Sequence, residues 1–258
     1  METARHHGRE TAYEIADRGG SGPGLCCVHG SGGSRDVWKS QHRLADRYPV
    51  VALDLSGHGD SEDVDADPGY GTLSAYADDL VAVVEDTDAR VIVGNSLGGA
   101  VVMHVLLERD VDLDAAILTG TGARLGVLED LLDWLEEDFD RAVEFLHGQD
   151  RLFHDPDPEL REHSRDRMYA CGQDVTRRDF LTCHAFDVRN RVSRIAVPTL
   201  VVYGKHDQLT PPWFHEYLAD EIEESELAEI EDAAHMTMLE KPAAFNDHVA
   251  TFLDGLEQ

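Results

Sequence analysis

The sequence predicts an α/β protein, a mostly parallel sheet flanked by helices and interrupted once by a helical block. Three observations carry this. Short β-branched apolar runs recur along the 258 residues, with amphipathic segments between them. Most of these runs lack the alternation of half-solvated strands, which suits parallel strands buried on both faces. The segments between them have apolar spacing near the helical period and lengths suited to crossover connections.

In chain order the strand candidates are Tyr13 to Ala16, Leu25 to His29, Val50 to Asp54, Arg90 to Gly94, Ala115 to Thr119, Thr199 to Gly204 and Leu227 to Glu231. Antiparallel pairing is open to the early pair. Thr72 to Val84, Leu97 to Glu108 and Trp213 to Glu221 read as helices. Between about 121 and 190 the strand signal vanishes. LGVLEDLLDWLEEDFDRAVEFLHG reads as one long or two broken amphipathic helices, PDPELREHSRDRMYACG as another opened by proline, and TRRDFLTCHAFDV as a third. The expected organisation is a core of residues 1–120 and 191–258 with a helical cap inserted at 121–190.

The chain carries 52 acidic against 22 basic residues, a net charge of −30, and only three lysines. Such a field repels nucleic acid and anionic membrane surfaces, so neither is an expected partner. The acids are interleaved with apolar residues (DVDLDAAIL, EDLLDWLEEDFD), as on the solvated face of a folded protein rather than in a disordered tail. An Asp-rich, Lys-poor surface points to a protein that works in high salt, where repulsion is screened within a few Å. The longest apolar stretches, such as Val91 to Val93, fall far short of the roughly 20 residues a membrane helix needs. METARHHGRE has neither an apolar signal core nor an Arg-rich, acid-free transit pattern, and the expected location is cytoplasmic. Cys26, Cys27, Cys171 and Cys183 show no zinc-site or redox spacing and read as small buried or half-buried thiols.

RVIVGNSLGGAVV places a serine at a sharp strand-to-helix turn: Gly94, Asn95, Ser96, Leu97, Gly98 form G-x-S-x-G. The flanking glycines admit the close crossing of strand and helix. The helix N-terminus at Leu97 offers an unpaired N–H and a positive dipole end for an oxyanion. Glycine-rich turns of this kind also bind phosphate, but the P-loop lysine and the dinucleotide spacing are both missing.

A serine nucleophile needs a base oriented by a carboxylate. Of the fourteen histidines, His235 stands after the last strand, in EIEDAAHMTMLEKP. Asp207 lies four residues past Tyr203 in VVYGKHDQLTPP. The other place for the acid, after the preceding strand, reads LTGTGARLGVL and offers no carboxylate until Glu129. A second oxyanion donor would come from CCVHGSGGSRDVW, with the backbone N–H of Ser31; taken alone, the segment could equally be an ordinary turn.

With HGSGGSRDVW, DLSGHGDS, GNSLGG, PTLVVYGKHD and AAHMTMLEKP in order, the chain resembles the α/β-hydrolase superfamily across nearly its whole length. The resemblance implies a mostly parallel eight-stranded sheet, Ser96 as nucleophile, a triad completed by Asp207 and His235, and oxyanion N–H groups on Ser31 and Leu97. One departure is Asn95, where many relatives carry histidine. Asp54 and His58 read as structural, satisfying loop backbone groups.

Within the superfamily the expected activity is cleavage of small to medium carboxylic esters through an acyl-enzyme. C–C hydrolysis, lactone opening and perhydrolysis or haloperoxidase-like activity on the same triad are alternatives, and a non-catalytic ligand binder is the alternative of another class. The expected partner is a small-molecule ester or related acyl substrate, and the expected state is monomer or homodimer. No cofactor is required, and the histidines and carboxylates show no HExxH or comparable metal-ligand spacing. Trp134, Phe139, Phe145, Met168, Tyr169, Phe180, Phe186 and Met236 are candidate pocket residues that could equally be packing positions of the cap.

Overall fold

The computed structural model describes residues 1–256. Eight strands, β1 (Glu2–His6), β2 (Arg9–Ala16), β3 (Leu25–Val28), β4 (Val50–Leu53), β5 (Val91–Asn95), β6 (Ala115–Thr119), β7 (Thr199–Gly204) and β8 (Ser225–Ile230), form one sheet in the order β1-β2-β4-β3-β5-β6-β7-β8. β1 pairs antiparallel with β2, and β2 antiparallel with β4. Every later pairing is parallel. β1 escapes the sequence pattern because ETARH buries only Ala4 and reads as polar.

The short inner strands are apolar throughout because both faces are covered. Cys26, Val28 and Ile92 point into one core with α1 (Tyr70–Thr87) and α2 (Leu97–Glu108). Leu25, Cys27, Val91 and Val93 point into the other, with Trp38, Phe245 and Phe252. Trp38 belongs to a 3-10 helix over Arg35–Leu44, and its complete burial contributes on the order of 2–3 kcal/mol.

Between β6 and β7 run four helices, α3 (Glu129–Glu137), α4 (Phe139–Leu146), α5 (Pro158–Cys171) and α6 (Gln173–Ala185). The long amphipathic segment is thus two helices. Asp138 is the break: its side chain accepts the Arg141 N–H and caps α4. Leu131, Leu135, Ala142, Val143, Leu146 and Met168 give these helices a small core of their own. The chain closes with α7 (Pro212–Glu221), a short α8 (Thr237–Glu240) and α9 (Pro242–Leu256). Among the described residues no helix is long and apolar enough to cross a membrane. All four cysteines are free, with Cys171 half-buried and the other three buried.

Candidate active site

The carboxyl ends of β5, β7 and β8 lead to Ser96, Asp207 and His235, the side of an open α/β sheet where ligands bind. Ser96 sits at φ 56°, ψ −118°, a left-handed backbone that a non-glycine residue adopts only when its surroundings enforce it. They do so here. A Cβ on Gly94 would strike the Gly98 carbonyl, one on Gly98 would strike the Val28 carbonyl, and one on Gly99 would lie 2.6 Å from the Thr121 side chain. Ser96 N–H donates to the Thr119 carbonyl at 3.0 Å, and Thr121 Oγ1 donates to the Ser96 carbonyl at 2.9 Å.

Asp207 and His235 are both buried, with Asp207 Oδ2 2.8 Å from His235 Nδ1. Facing a carboxylate, Nδ1 carries the proton and Nε2 is left with its lone pair. Asp207 also accepts the N–H groups of Leu209 (2.8 Å) and Thr210 (2.9 Å) and the hydroxyl of Thr210 (2.7 Å). Burial works against its charge, but His235 and these donors outweigh it and hold the carboxyl below its ordinary value. Thr210 Oγ1 also lies 3.2 Å from His235 Nδ1, a contact the sequence does not announce.

Asn95, the departure beside Ser96, ties the elbow to the histidine loop. Its Nδ2 donates to the carbonyls of Thr119 and His235, each at 3.3 Å. His215 on α7 accepts the Thr121 N–H at 3.1 Å and stacks on Tyr203, and burial lowers its pKa to about 4.

Ser31 sits in the loop after β3, which passes close to Ser96: a Cβ on Gly30 would lie 3.0 Å from that of Ser96. The next residue, Gly32, donates its N–H to Asp179 of α6 at 3.1 Å. Asp179, fully buried, also accepts from His58 Nε2 (2.9 Å) and the Tyr76 hydroxyl (2.7 Å). His58 Nδ1 faces the Ser56 carbonyl at 3.2 Å, so both ring nitrogens meet acceptors and the ring is a cation. Burial opposes that charge, but Asp179 more than offsets it and raises the His58 pKa well above 6.5. Burial likewise opposes the Asp179 charge, and His58 keeps its pKa low. His29, whose ring lies tilted against that of His58 with centroids 4.7 Å apart, is the converse case: Nδ1 donates to the Gly30 carbonyl, Nε2 accepts the Leu55 N–H, and burial lowers its pKa to about 4. Asp54 accepts the backbone N–H groups of Arg35 and Asp60, in keeping with a structural DLSGHGDS.

Ser31, Ser96 and His235 open onto one cavity of about 420 Å³, within the range of small-molecule sites. Its wall includes Phe145, Met168, Phe180 and Met236 from the sequence candidates, joined by Leu125, Leu131, Leu209 and Phe214, which no motif marks. The other aromatic candidates lie elsewhere, which corrects the expectation that they line the pocket. Trp134 packs edge-on behind Phe145 with Arg141 over its ring, Phe139 packs on the half-exposed Tyr169, and Phe186 is buried in the core beside α1 and α2. Helical spacing marks these residues as apolar without saying which face meets the cavity.

This sheet order, strand-end chemistry and helical insertion define an enzyme of the hydrolase class built on a doubly covered parallel sheet. The chain belongs to the Alpha/beta hydrolase family, whose profile matches residues 27–248. It is similar to the pimeloyl-[acyl-carrier protein] methyl ester esterase of Neisseria meningitidis serogroup C, with 30% identity over 250 residues covering 89% of this chain and 93% of that protein. Among solved structures it resembles a thermophilic esterase at TM-score 0.87 and 30% identity, covering 99% of this chain and 97% of that one. It also resembles Est816, described as an N-acyl homoserine lactone degrading enzyme, at TM-score 0.85 and 25% identity, covering 97% and 100%.

Proposed function

We propose that the protein hydrolyses carboxylic esters of small to medium acyl chain through an acyl-enzyme on Ser96. The observation that carries this reading is the buried Asp207–His235 pair opening, together with the elbow serine, onto one largely apolar cavity. His235 Nε2 takes the Ser96 proton as Oγ attacks the ester carbonyl, and Asp207 stabilises the imidazolium that forms. The oxyanion sits between the N–H groups of Ser31 and Leu97. His235 returns the proton to the departing alcohol, then activates water to release the acid and restore Ser96. Asp179 anchors Gly32 and so steadies the loop that carries Ser31. Residues 121–190 act as a cap that closes the cavity and sets acyl preference. The methyl ester esterase and thermophilic esterase relatives favour esters as the starting panel.

The test is turnover of p-nitrophenyl acetate and butyrate, and of methyl esters of longer acids, in high salt, beside Ser96→Ala. The expected result is turnover by the wild type that the variant loses, with fluorophosphonate labelling confined to proteins that retain Ser96. Equal turnover by the variant would overturn the assignment of Ser96. Labelling of Ser96 without turnover of any acyl ester would overturn the ester reading and leave the nucleophile standing.

A further inference from the structure

Beside the triad, but outside it, three side chains from two distant stretches converge. Asp150 and His154 belong to the segment between α4 and α5, and His206 precedes Asp207 in the loop after β7. His154 Nδ1 lies 2.5 Å from Asp150 Oδ1, and the His154 and His206 rings stack with centroids 3.7 Å apart and planes 9° from parallel. One donor atom from each residue falls within 4.8 Å of the others, and all three residues are half-buried. A zinc ion with ligand bonds near 2.1 Å separates its donors by about 3.4 Å, so modest side-chain rotation would close this set around one ion.

The backbone already holds these residues in place. The Asp150 carbonyl accepts the Gln208 N–H at 2.9 Å, and His206 N–H donates to the Ala233 carbonyl at 2.9 Å. His154 N–H donates to Glu240 Oε1 at 2.7 Å, and Gln149 Nε2 donates to Asp150 Oδ1 at 3.1 Å. Such outer partners orient ligands in metal sites. A net charge of −30 draws divalent cations to the protein, and two imidazoles with one carboxylate select the borderline transition metals over magnesium or calcium.

We propose that Asp150, His154 and His206 bind one divalent transition-metal ion of the zinc or nickel type. The ion staples the segment after α4 to the loop that carries Asp207. That segment already touches the histidine loop, since His235 N–H donates to the Arg151 carbonyl at 3.3 Å. Occupancy would therefore stiffen two triad loops against the helical insertion without placing the metal on the reacting atoms.

The experiment titrates zinc chloride, and separately nickel chloride, into chelator-stripped full-length protein by calorimetry, with melting followed in parallel. Wild type is compared with His154→Ala, His206→Ala and Asp150→Asn. The expected result is one ion per chain and a melting temperature raised by several degrees. Both effects should weaken by more than an order of magnitude in affinity in each variant whose circular dichroism matches the wild type. Should His206→Ala fail to fold, the other two variants decide. Absence of stoichiometric binding, or binding that survives His154→Ala and Asp150→Asn, would overturn the site. These readouts do not depend on esterase activity, so failure here and failure of the hydrolase reading are separate results.

Discussion

Replacing Asp179 by Asn keeps the shape of the side chain and removes its charge. Asp179 and His58 are both fully buried, and Asp179 accepts three hydrogen bonds, so the variant leaves the imidazole without its counter-charge and Gly32 with a weaker acceptor. Breaking a buried pair by removing one partner costs about 3–5 kcal/mol, and since the imidazole can shed its proton the lower end, about 3, is expected. For a chain of this size that is a fall in melting temperature of roughly 6–12 °C. The loss should depend on pH. The Asp179 pKa is lowered, so its contribution is in place above its ordinary value of 3.8 and is lost as pH falls through the folded value beneath. The His58 pKa is raised, so its contribution is complete below 6.5 and is lost as pH rises through the folded value above. The gap between wild type and variant should therefore be widest between these limits and narrow on either side. Differential scanning calorimetry across that range measures it, with kcat and KM taken on p-nitrophenyl butyrate. Melting temperatures that coincide throughout would refute the buried ion pair. A lowered melting temperature with kcat unchanged would refute the anchoring of the Ser31 loop through Gly32.

Asp207→Asn should leave the fold intact, because Thr210 and His235 still find hydrogen-bond partners, while kcat falls on the order of 10⁴-fold through loss of the correct histidine tautomer. Steady-state kinetics decides, and a loss below tenfold would remove Asp207 from the triad. The acidic surface should make stability rise with salt: from about 0.1 M to about 1 M potassium chloride the Debye length falls from ~10 to ~3 Å, and the melting temperature should climb by several degrees. Equal melting at both concentrations would remove the high-salt reading.

The features visible from sequence are those written in local spacing. β-branched runs announced the inner strands, and Gly94, Gly98 and Gly99 announced the elbow because their missing side chains are a steric requirement of the crossing. β1 was invisible because an edge strand with one buried residue carries no hydrophobic period. Thr210, His215 and Asp179 were missed for another reason. Their work is done through partners far away in sequence, and a lone Thr, His or Asp on an amphipathic segment reads as surface or core until the fold supplies the partner. The aromatic residues of the helical block failed likewise, since Phe145 and Trp134 look alike in sequence yet one meets the cavity and the other backs it.

Asp179 is contributed by the inserted helices, yet its partners lie outside them: Gly32 and His58 in loops of the sheet and Tyr76 on α1. Exchanging these helices for those of a relative would thus bring a different wall for the cavity and leave His58 facing whatever residue replaced that carboxylate. Grafts that preserve an acid at this place on α6 should fold with the sheet of this protein. Grafts that lack it would need a neutral residue in place of His58 as well, so the two positions have to be exchanged together.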